Sequence, residues 1–152
     1  ANDLLASVAN TFALKVEKYD GTIDIDLQAE DSDIYVDEMH ITNVLFNLLD
    51  NAVKYRRLEV PLTLMCRTWN ENGKLLISIE DNGIGIKKEY LKKVFDRFFR
   101  VPTGNVHDVK GFGLGLAYVR KIVEDHKGTI RAEVGTENVG TKFIITLPLI
   151  KS

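Results

Sequence analysis

Two glycine-rich turns and a pair of asparagines are the residues of this sequence best suited to chemistry. The first turn, DNGIGI, covers residues 81–86, and the second, GFGLGL, covers residues 111–116. Glycine lets a backbone approach a ligand closely and adopt positive φ without a Cβ clash. Because both turns accompany a helix that carries Asn47 and Asn51, the sequence predicts a nucleotide pocket built from the two turns.

The asparagines belong to a longer polar stripe. Asn43, Asn47, Asn51 and Lys54 follow helical spacing and therefore share one face, opposite the apolar residues of the same helix. Asparagine oxygens can complete a Mg²⁺ shell whose other ligands are phosphates and water. A solvated helix face is the alternative, but asparagine is a poor helix former and three on one stripe need a reason.

Asp81 opens the first turn at the end of a strand pattern. It is either a turn residue or an acceptor for the exocyclic amine of adenine, with Gly83 and Gly85 admitting the flat base. The second turn leads into a helix and resembles a phosphate-binding turn. It lacks the preceding buried strand of a dinucleotide fold, and the chain has no P-loop motif.

Hydrophobic periodicity supplies the elements that position these residues. Helices are predicted over residues 2–18, 38–56, 87–99 and 114–126, and strands over 22–27, 34–36, 61–69, 74–80, 129–134 and 142–147. Asn72-Gly73 predicts a hairpin turn, and Gly128 a helix cap. Residues 101–111 have turn formers without periodicity and predict a long loop. The pattern favours an α+β two-layer sandwich, with helices on one face of a mostly antiparallel sheet.

Composition limits the possible classes of protein. The chain has 152 residues, 45% hydrophobic and 28% charged, which suits one globular domain. A net charge of −2 gives no broad basic field for nucleic acid or a membrane surface. Cys66 is the single cysteine, so no disulfide forms within the chain, and a reducing compartment fits. No run is long enough to span a bilayer, and a start without methionine predicts a piece of a longer protein.

Five segments, in chain order, resemble the motif boxes of bacterial sensor histidine kinases. NLLDNAVKY at 47–55 is similar to the N box and DNGIGI at 81–86 to the first glycine box. FDRFFR at 95–100 is similar to the phenylalanine box, GFGLGL at 111–116 to the second glycine box, and GTKF at 140–143 to the final Gly-Thr box. The resemblance covers nearly the whole chain, as one catalytic ATP-binding domain over residues 1–152.

The resemblance implies the Bergerat ATP-binding fold, with a mixed sheet, and ATP and Mg²⁺ as ligands. Asn51 is expected to hold the metal, assisted by Asn47. Arg100 or Arg97 is expected to meet the γ-phosphate and offset charge in the transition state, with Arg100 favoured because it stands at the entrance of the ATP lid, residues 101–111.

The nucleotide-contacting residues implied by the resemblance come from all five boxes. They are Asn47, Asn51, Lys54, Tyr55, Asp81, Gly83, Gly85, Ile86, Phe99, Arg100, Gly111, Gly113, Leu114, Gly115, Leu116 and Thr141. Lys54 and Tyr55 are expected along the phosphates and sugar, Asp81 on adenine, and Thr141 on the adenine side. The chain departs from the pattern at Phe99, where tyrosine is common. A second departure is Arg56-Arg57, which is expected to add positive charge at the pocket mouth.

Asn47 separates the enzyme classes that share the fold. Hydrolysing members and serine kinases of the superfamily place a glutamate there as general base, and a carboxamide cannot accept a proton. The resemblance therefore implies a chain that binds ATP and hydrolyses it poorly. A degenerate regulatory module that binds nucleotide without phosphotransfer is the alternative, and Asn47 disfavours a serine-kinase switch.

The phosphoacceptor is expected to lie outside this chain. His40, His107 and His126 do not fit the family's acceptor pattern on a long dimerising helix. The expected partners are the missing dimerisation domain of the same protein and a response regulator, with no nucleic acid and no direct membrane contact. The resemblance further implies a monomeric, cytoplasmic domain of a parent protein anchored in the bacterial inner membrane.

Overall fold

A five-stranded sheet organises the described part of the molecule. The computed structural model describes residues 2–18, 21–28, 38–57, 59–96, 115–136 and 139–149. The strands are β1 (Thr22–Leu27), β2 (Thr63–Glu71), β3 (Lys74–Asp81), β4 (Thr129–Val134) and β5 (Thr141–Pro148). Their order is β1-β2-β3-β5-β4. β1 runs parallel to β2 and every other pair is antiparallel, so the mixed, mostly antiparallel sheet is confirmed.

In the part of the chain that the structure describes, three helices pack on one face of this sheet. They are α1 (Asn2–Glu17), α2 (Glu38–Lys54) and α3 (Gly115–Asp125). Their apolar stripes meet alternate residues of the central strands in one core, which includes Phe12, Leu48, Val119, Ile77 and Ile145. Within the described ranges, every helix is too short or too polar to cross a membrane.

α1 buries one narrow apolar stripe. Leu5, Val8, Phe12 and Val16 are buried at helical spacing, whereas the hydrophobic Leu14 of the same helix is 70% exposed. Leu14 lies two residues from Phe12, and residues two apart on a helix face different directions. A hydrophobic side chain in this helix therefore does not by itself predict burial.

The predicted helix over residues 87–99 is wrong where the structure describes it. That stretch forms two short 3₁₀ turns, Lys88–Tyr90 and Lys93–Phe95, and Asp96 after them is extended. Lys88 and Lys92 stand four apart, and a helix would bring these like charges together. Phe95 instead anchors the segment by an edge contact with Phe143, with the ring centroids 6.1 Å apart.

The hairpin at Asn72-Gly73 sets the position of Asp81. Both turn residues have positive φ, 53° and 74°, as a type I′ turn requires. The turn pairs Glu71 with Lys74, and this register carries along the hairpin to place Asp81 opposite Leu64. The first glycine turn therefore starts at the far end of a central, buried strand.

The C-terminal end of α3 differs from the prediction that Gly128 is the left-handed helix cap. Lys127, not Gly128, adopts the left-handed conformation, with φ of 64°. The N–H of Gly128 donates to Val123 O and that of Lys127 to Glu124 O, which is a Schellman motif. Gly128 is needed for space, because a Cβ there would overlap Thr146 O and lie 2.7 Å from Leu147 Cδ2.

One predicted strand and one predicted loop lie outside the described residues. They are the strand over 34–36 and the loop over 101–111. Leu114, the predicted first residue of the last helix, also lies outside them, and α3 is described from Gly115.

Opposite stability changes are expected at the two residues that end α3. Lys127→Gly should raise the free energy of unfolding by about 1 kcal/mol, because glycine relieves the left-handed strain. Gly128→Ala should lower it by about 1–3 kcal/mol through overpacking against β5. Urea unfolding of both variants measures these changes. If both substitutions changed the free energy of unfolding in the same direction, the roles assigned to Lys127 and Gly128 would be wrong.

Candidate nucleotide site

Asp81 joins three parts of the chain at the end of β3. Its Oδ1 accepts the N–H of Gly83 at 2.8 Å and the N–H of Thr141 at 3.3 Å. The first bond shapes the glycine turn and the second ties it to the start of β5, where Thr141 is only 5% exposed. Both donors use Oδ1, so Oδ2 is left as the acceptor for a ligand.

The surroundings of Asp81 change its acidity. Burial raises the pKa of this carboxyl to about 6 from an ordinary 3.8. The N–H groups of Gly83 and Thr141 oppose the rise in pKa, and the charge of neighbouring Glu80 adds to it. A group with this pKa is mainly ionised at neutral pH, so Asp81 is a hydrogen-bond acceptor there.

Glycines let the turn pack backbone against backbone on both sides. Ile84 N–H donates to Tyr55 O at 3.0 Å, and a Cβ on Gly83 would lie 2.5 Å from the same oxygen. On the other side Gly140 has φ of 70°, and a Cβ there would overlap Asp81 O. Gly85 also has positive φ, 78°. The turn is thus held between the end of α2 and the start of β5.

Asn82 also fixes the turn, a role that sequence reasoning missed. Its Oδ1 accepts Thr63 N–H at 2.9 Å and its Nδ2 donates to Pro61 O at 2.9 Å. Arg57 Nε donates to Asn82 O at 2.9 Å. Arg57, expected to add charge at the pocket mouth, is therefore bound to the turn's backbone. The only sequence signal was an asparagine inside a glycine turn, which is a common turn former.

Arg56, the other residue of that expected pair of charges, also contacts backbone. Its Nη1 donates to Val53 O at 2.7 Å, in the last turn of α2. A cation at this end complements the helix dipole.

The polar stripe of α2 is present as predicted from the spacing. Asn43 is exposed, while Asn47 and Asn51 are partly buried. Asn47 Nδ2 donates to Asn43 O at 2.8 Å, which leaves its side-chain oxygen as the free acceptor. Two amide oxygens one turn apart, without a carboxylate at either position, suit a Mg²⁺ whose other ligands are phosphates and water.

Lys54 is restrained by a carboxylate that the sequence prediction did not include. Asp50 accepts from Lys15 of α1 at 2.7 Å and lies 3.4 Å from Lys54. Although partial burial opposes it, bonds and charges from both lysines hold the pKa of Asp50 below its ordinary value. Helical spacing places Lys54 on the same helix face as Asn47 and Asn51, and its ammonium group is paired with the ionised Asp50.

The remaining site residues divide into two groups. Ile86 and Leu116 are partly buried and pack against the core, and Gly115 begins α3. The others lie outside the described residues: Arg97, Phe99, Arg100, Gly111, Gly113 and Leu114. The described half of the site thus holds a buried carboxylate acceptor, a glycine cradle (Gly83, Gly85 and Gly140) and a pair of amide oxygens suited to a metal.

Comparison with known proteins decides the family. The model of the histidine kinase-, DNA gyrase B-, and HSP90-like ATPases matches residues 36–151. The chain belongs to this family. Membership implies a nucleotide substrate and confirms the resemblance stated from the motif boxes.

Relatives of this ATPase domain are sensor kinases. The sensor protein RprX of Bacteroides fragilis is 70% identical over 152 residues, which are 100% of this chain and 29% of RprX. The solved catalytic domain of histidine kinase ThkA is 31% identical, with a TM-score of 0.77, covering 97% of this chain and 92% of that one. ThkA in complex with the response regulator protein TrrA is 29% identical, with a TM-score of 0.78, covering 98% and 40%.

These comparisons confirm the fold and the type of catalytic domain. The Bergerat arrangement of a mixed sheet under helices is shared with histidine kinase catalytic domains. The chain spans less than a third of the length of RprX, so it corresponds to one part of such a protein.

Asp81 should make the ATPase domain less stable as pH rises. Its pKa is higher folded than unfolded, so the native state binds the extra proton between about pH 4 and 6, and stability falls across that window. Asp81→Asn keeps an acceptor oxygen and removes the charge. It should stabilise the domain at pH 7 by up to about 3 kcal/mol, at about 1.4 kcal/mol per pKa unit.

Urea unfolding of wild type and Asp81→Asn between pH 4 and 8 measures this effect. The neighbouring Glu80→Gln is the control of opposite sign. Although burial opposes it, the Thr136 N–H bond and nearby cations lower the pKa of Glu80, so losing this charge should destabilise the domain at pH 7. If the difference in unfolding free energy between wild type and Asp81→Asn stayed constant with pH, burial would not be the cause of the raised pKa.

Proposed function

We propose that this chain is the catalytic ATP-binding domain of a sensor histidine kinase. It positions Mg·ATP so that the γ-phosphoryl group passes to a histidine on a separate dimerisation domain. The observation that carries the proposal is Asp81, whose carboxylate is fixed by two backbone N–H groups inside a glycine cradle, beside the helix that carries Asn47 and Asn51.

Asp81 recognises the adenine ring. Its Oδ2 accepts the exocyclic amine, directly or through water, while Gly83 and Gly85 leave room for the flat base. Thr141 closes the adenine side, because its backbone already contacts the same carboxylate. Since a buried carboxylate accepts but does not donate, this geometry favours adenine, which offers an amine, over a base that offers a carbonyl there.

The polar face of α2 serves the phosphate end. Asn51 supplies an oxygen to Mg²⁺, assisted by Asn47, and Lys54 offsets phosphate charge, with Tyr55 beside the sugar. When bound, Mg²⁺ neutralises charge on the phosphate oxygens. We assign the γ-phosphate contact to Arg100, with Arg97 as its alternative, and the lid to residues 101–111. The nucleotide set is completed by Ile86, Phe99, Gly111, Gly113, Leu114, Gly115 and Leu116.

Asn47 favours phosphotransfer over hydrolysis. A carboxamide at this position does not take a proton from water, so the site lacks a general base for hydrolysis. A histidine acceptor is itself nucleophilic, and its base is supplied with the acceptor domain.

Partners and location follow from the same proposal. ThkA has been solved with the response regulator TrrA, which supports a response regulator as the downstream partner here. The dimerisation domain belongs to the same parent protein, anchored in the bacterial inner membrane. The ATP-binding domain works in the cytoplasm, where ATP is available, and is a monomer when isolated, without contact to nucleic acid or the membrane.

Binding of Mg·ATP should depend on Asp81 and Asn51 in different ways. Asp81→Asn should weaken ATP binding by about 10–100-fold, the range for a hydrogen bond to a charged group. Asn51→Ala should abolish the gain in affinity from Mg²⁺. Asn43→Ala, on the same stripe but exposed, is the matched control and should bind as wild type. Calorimetric titration measures all four proteins, and no binding by folded wild type would favour the degenerate regulatory module.

Phosphoryl transfer should require a supplied acceptor domain. Incubated with radiolabelled γ-phosphate ATP, the isolated chain should neither gain acid-labile phosphohistidine nor hydrolyse ATP above background. Adding a separately produced dimerisation domain, for which that of RprX is suitable, should transfer label to its histidine. Label on the isolated chain, or binding without transfer to the supplied domain, would overturn the assignment.

A further inference from the structure

A cavity lies on the face of the sheet opposite the described helices. Along β3, Leu75, Ile77 and Ile79 point into the helix-covered core, so Ser78 between them faces the opposite side. There a cavity of about 470 Å³ is lined by Asp26, Gln28, Arg67, Trp69, Ser78 and Lys142. Its volume is in the range of small-molecule sites, and the proposed nucleotide contacts do not line it.

Among the described residues that line this cavity, two have a buried polar atom without a hydrogen-bond partner. These atoms are Arg67 Nε and Ser78 Oγ. Arg67 and Ser78 pair directly across β2 and β3, so their side chains emerge side by side on the same face. Ser78 is only 1% exposed. An unpartnered buried donor carries a desolvation penalty that a ligand acceptor would relieve.

The same arrangement identifies the ligand's polar group. Arg67 Nε–H is a donor only, and the Ser78 hydroxyl can donate beside it, so both can meet one acceptor group. Lys142 adds a second positive charge at the wall. The carboxylates of Asp26, and of Glu80 on the same face, offset these two cations. A balanced site of this kind suits a monoanion better than a doubly charged phosphate.

The other walls identify the ligand's body. Trp69 Nε1–H donates to Glu71, 3.2 Å away, and Gln28 Nε2 donates to Asp26 Oδ2 at 3.1 Å. The single polar group of the Trp69 side chain is therefore already used, and the tryptophan contributes its flat apolar surface.

We propose that this cavity is a second ligand site, which binds a small monocarboxylate with a planar apolar body. The carboxylate takes the hydrogen bonds of Arg67 Nε and Ser78 Oγ, and the planar body lies against Trp69. The site is separate from the proposed nucleotide site, and its occupancy does not depend on that function.

Arg131 provides a matched control within the same sheet. It lies on β4 in the same cross-strand row as Ser78, linked through Ile144, and faces the same side. Its guanidinium is already paired, with Nε 2.7 Å from Glu133 Oε2. A comparison of Arg67 with Arg131 therefore tests the effect of an unpartnered Nε donor, because the Nε donor of Arg131 is already engaged.

Benzoate is the probe, and Trp69 is the reporter because it is the chain's only tryptophan. With saturating Mg·ADP present, benzoate should shift the Trp69 indole N–H signal in ¹⁵N NMR spectra, with a Kd of about millimolar order. Arg67→Gln should weaken binding ~10–100-fold and Ser78→Ala ~3–10-fold, from the usual strengths of charged and neutral hydrogen bonds. Arg131→Gln should leave the Kd unchanged.

Three outcomes would overturn the second site. One is no shift of the Trp69 signal at any soluble benzoate concentration. Another is an equal shift with neutral benzamide, which would show apolar contact alone. The third is equal weakening by Arg67→Gln and Arg131→Gln, which would show a general effect of surface charge. Unchanged signals of the helix-covered core verify folding, and Ser78→Ala keeps the test valid if Arg67→Gln does not fold.

Discussion

A desolvated carboxylate at the end of a central strand is the constraint on which the site depends. Asp81 is placed there by a hairpin register and held by N–H groups of Gly83 and Thr141. These hydrogen bonds require close approach of backbone segments. A Cβ on Gly83 would clash with Tyr55 O, and a Cβ on Gly140 would clash with Asp81 O. The glycines, the turn and the strand end therefore form one unit. The raised pKa of Asp81 reflects the free-energy penalty of burying its charge.

α2 connects this unit to the rest of the fold. Its apolar face contributes the largest helical share of the core, and its polar face carries Asn47, Asn51 and Lys54. Tyr55, directly after the helix, accepts the N–H of Ile84 from the glycine turn. Packing of one helix thus fixes the side-chain amides of Asn47 and Asn51 and the Asp81 carboxylate relative to one another. Asp50 extends the connection to α1 through Lys15.

Local sequence patterns predicted most helices and strands correctly. They were wrong where contacts between distant segments determined the backbone conformation. Asn72-Gly73 specified its turn because only certain residues adopt positive φ readily. The expected helix after residue 86 is two 3₁₀ turns, because Phe95 packs on Phe143 and the lysines repel in helical spacing. Gly128 was expected as a cap, yet a carbonyl from β5 demands its small size. Such demands come from strands distant in sequence.

The sequence by itself determined which residue types the candidate site contains. Motif order and spacing, through the resemblance to sensor histidine kinases, predicted Asp81, Asn47 and Asn51 as residues of a nucleotide site. Only the tertiary structure decided that Asn82 and Arg57 fix the turn and that Asp50 pairs with two lysines. The tertiary structure also places Arg67 beside Ser78, and it leaves Arg67 Nε and Ser78 Oγ without hydrogen-bond partners. Residue type fixes what a group can do, whereas burial and partners depend on segments that only folding brings together.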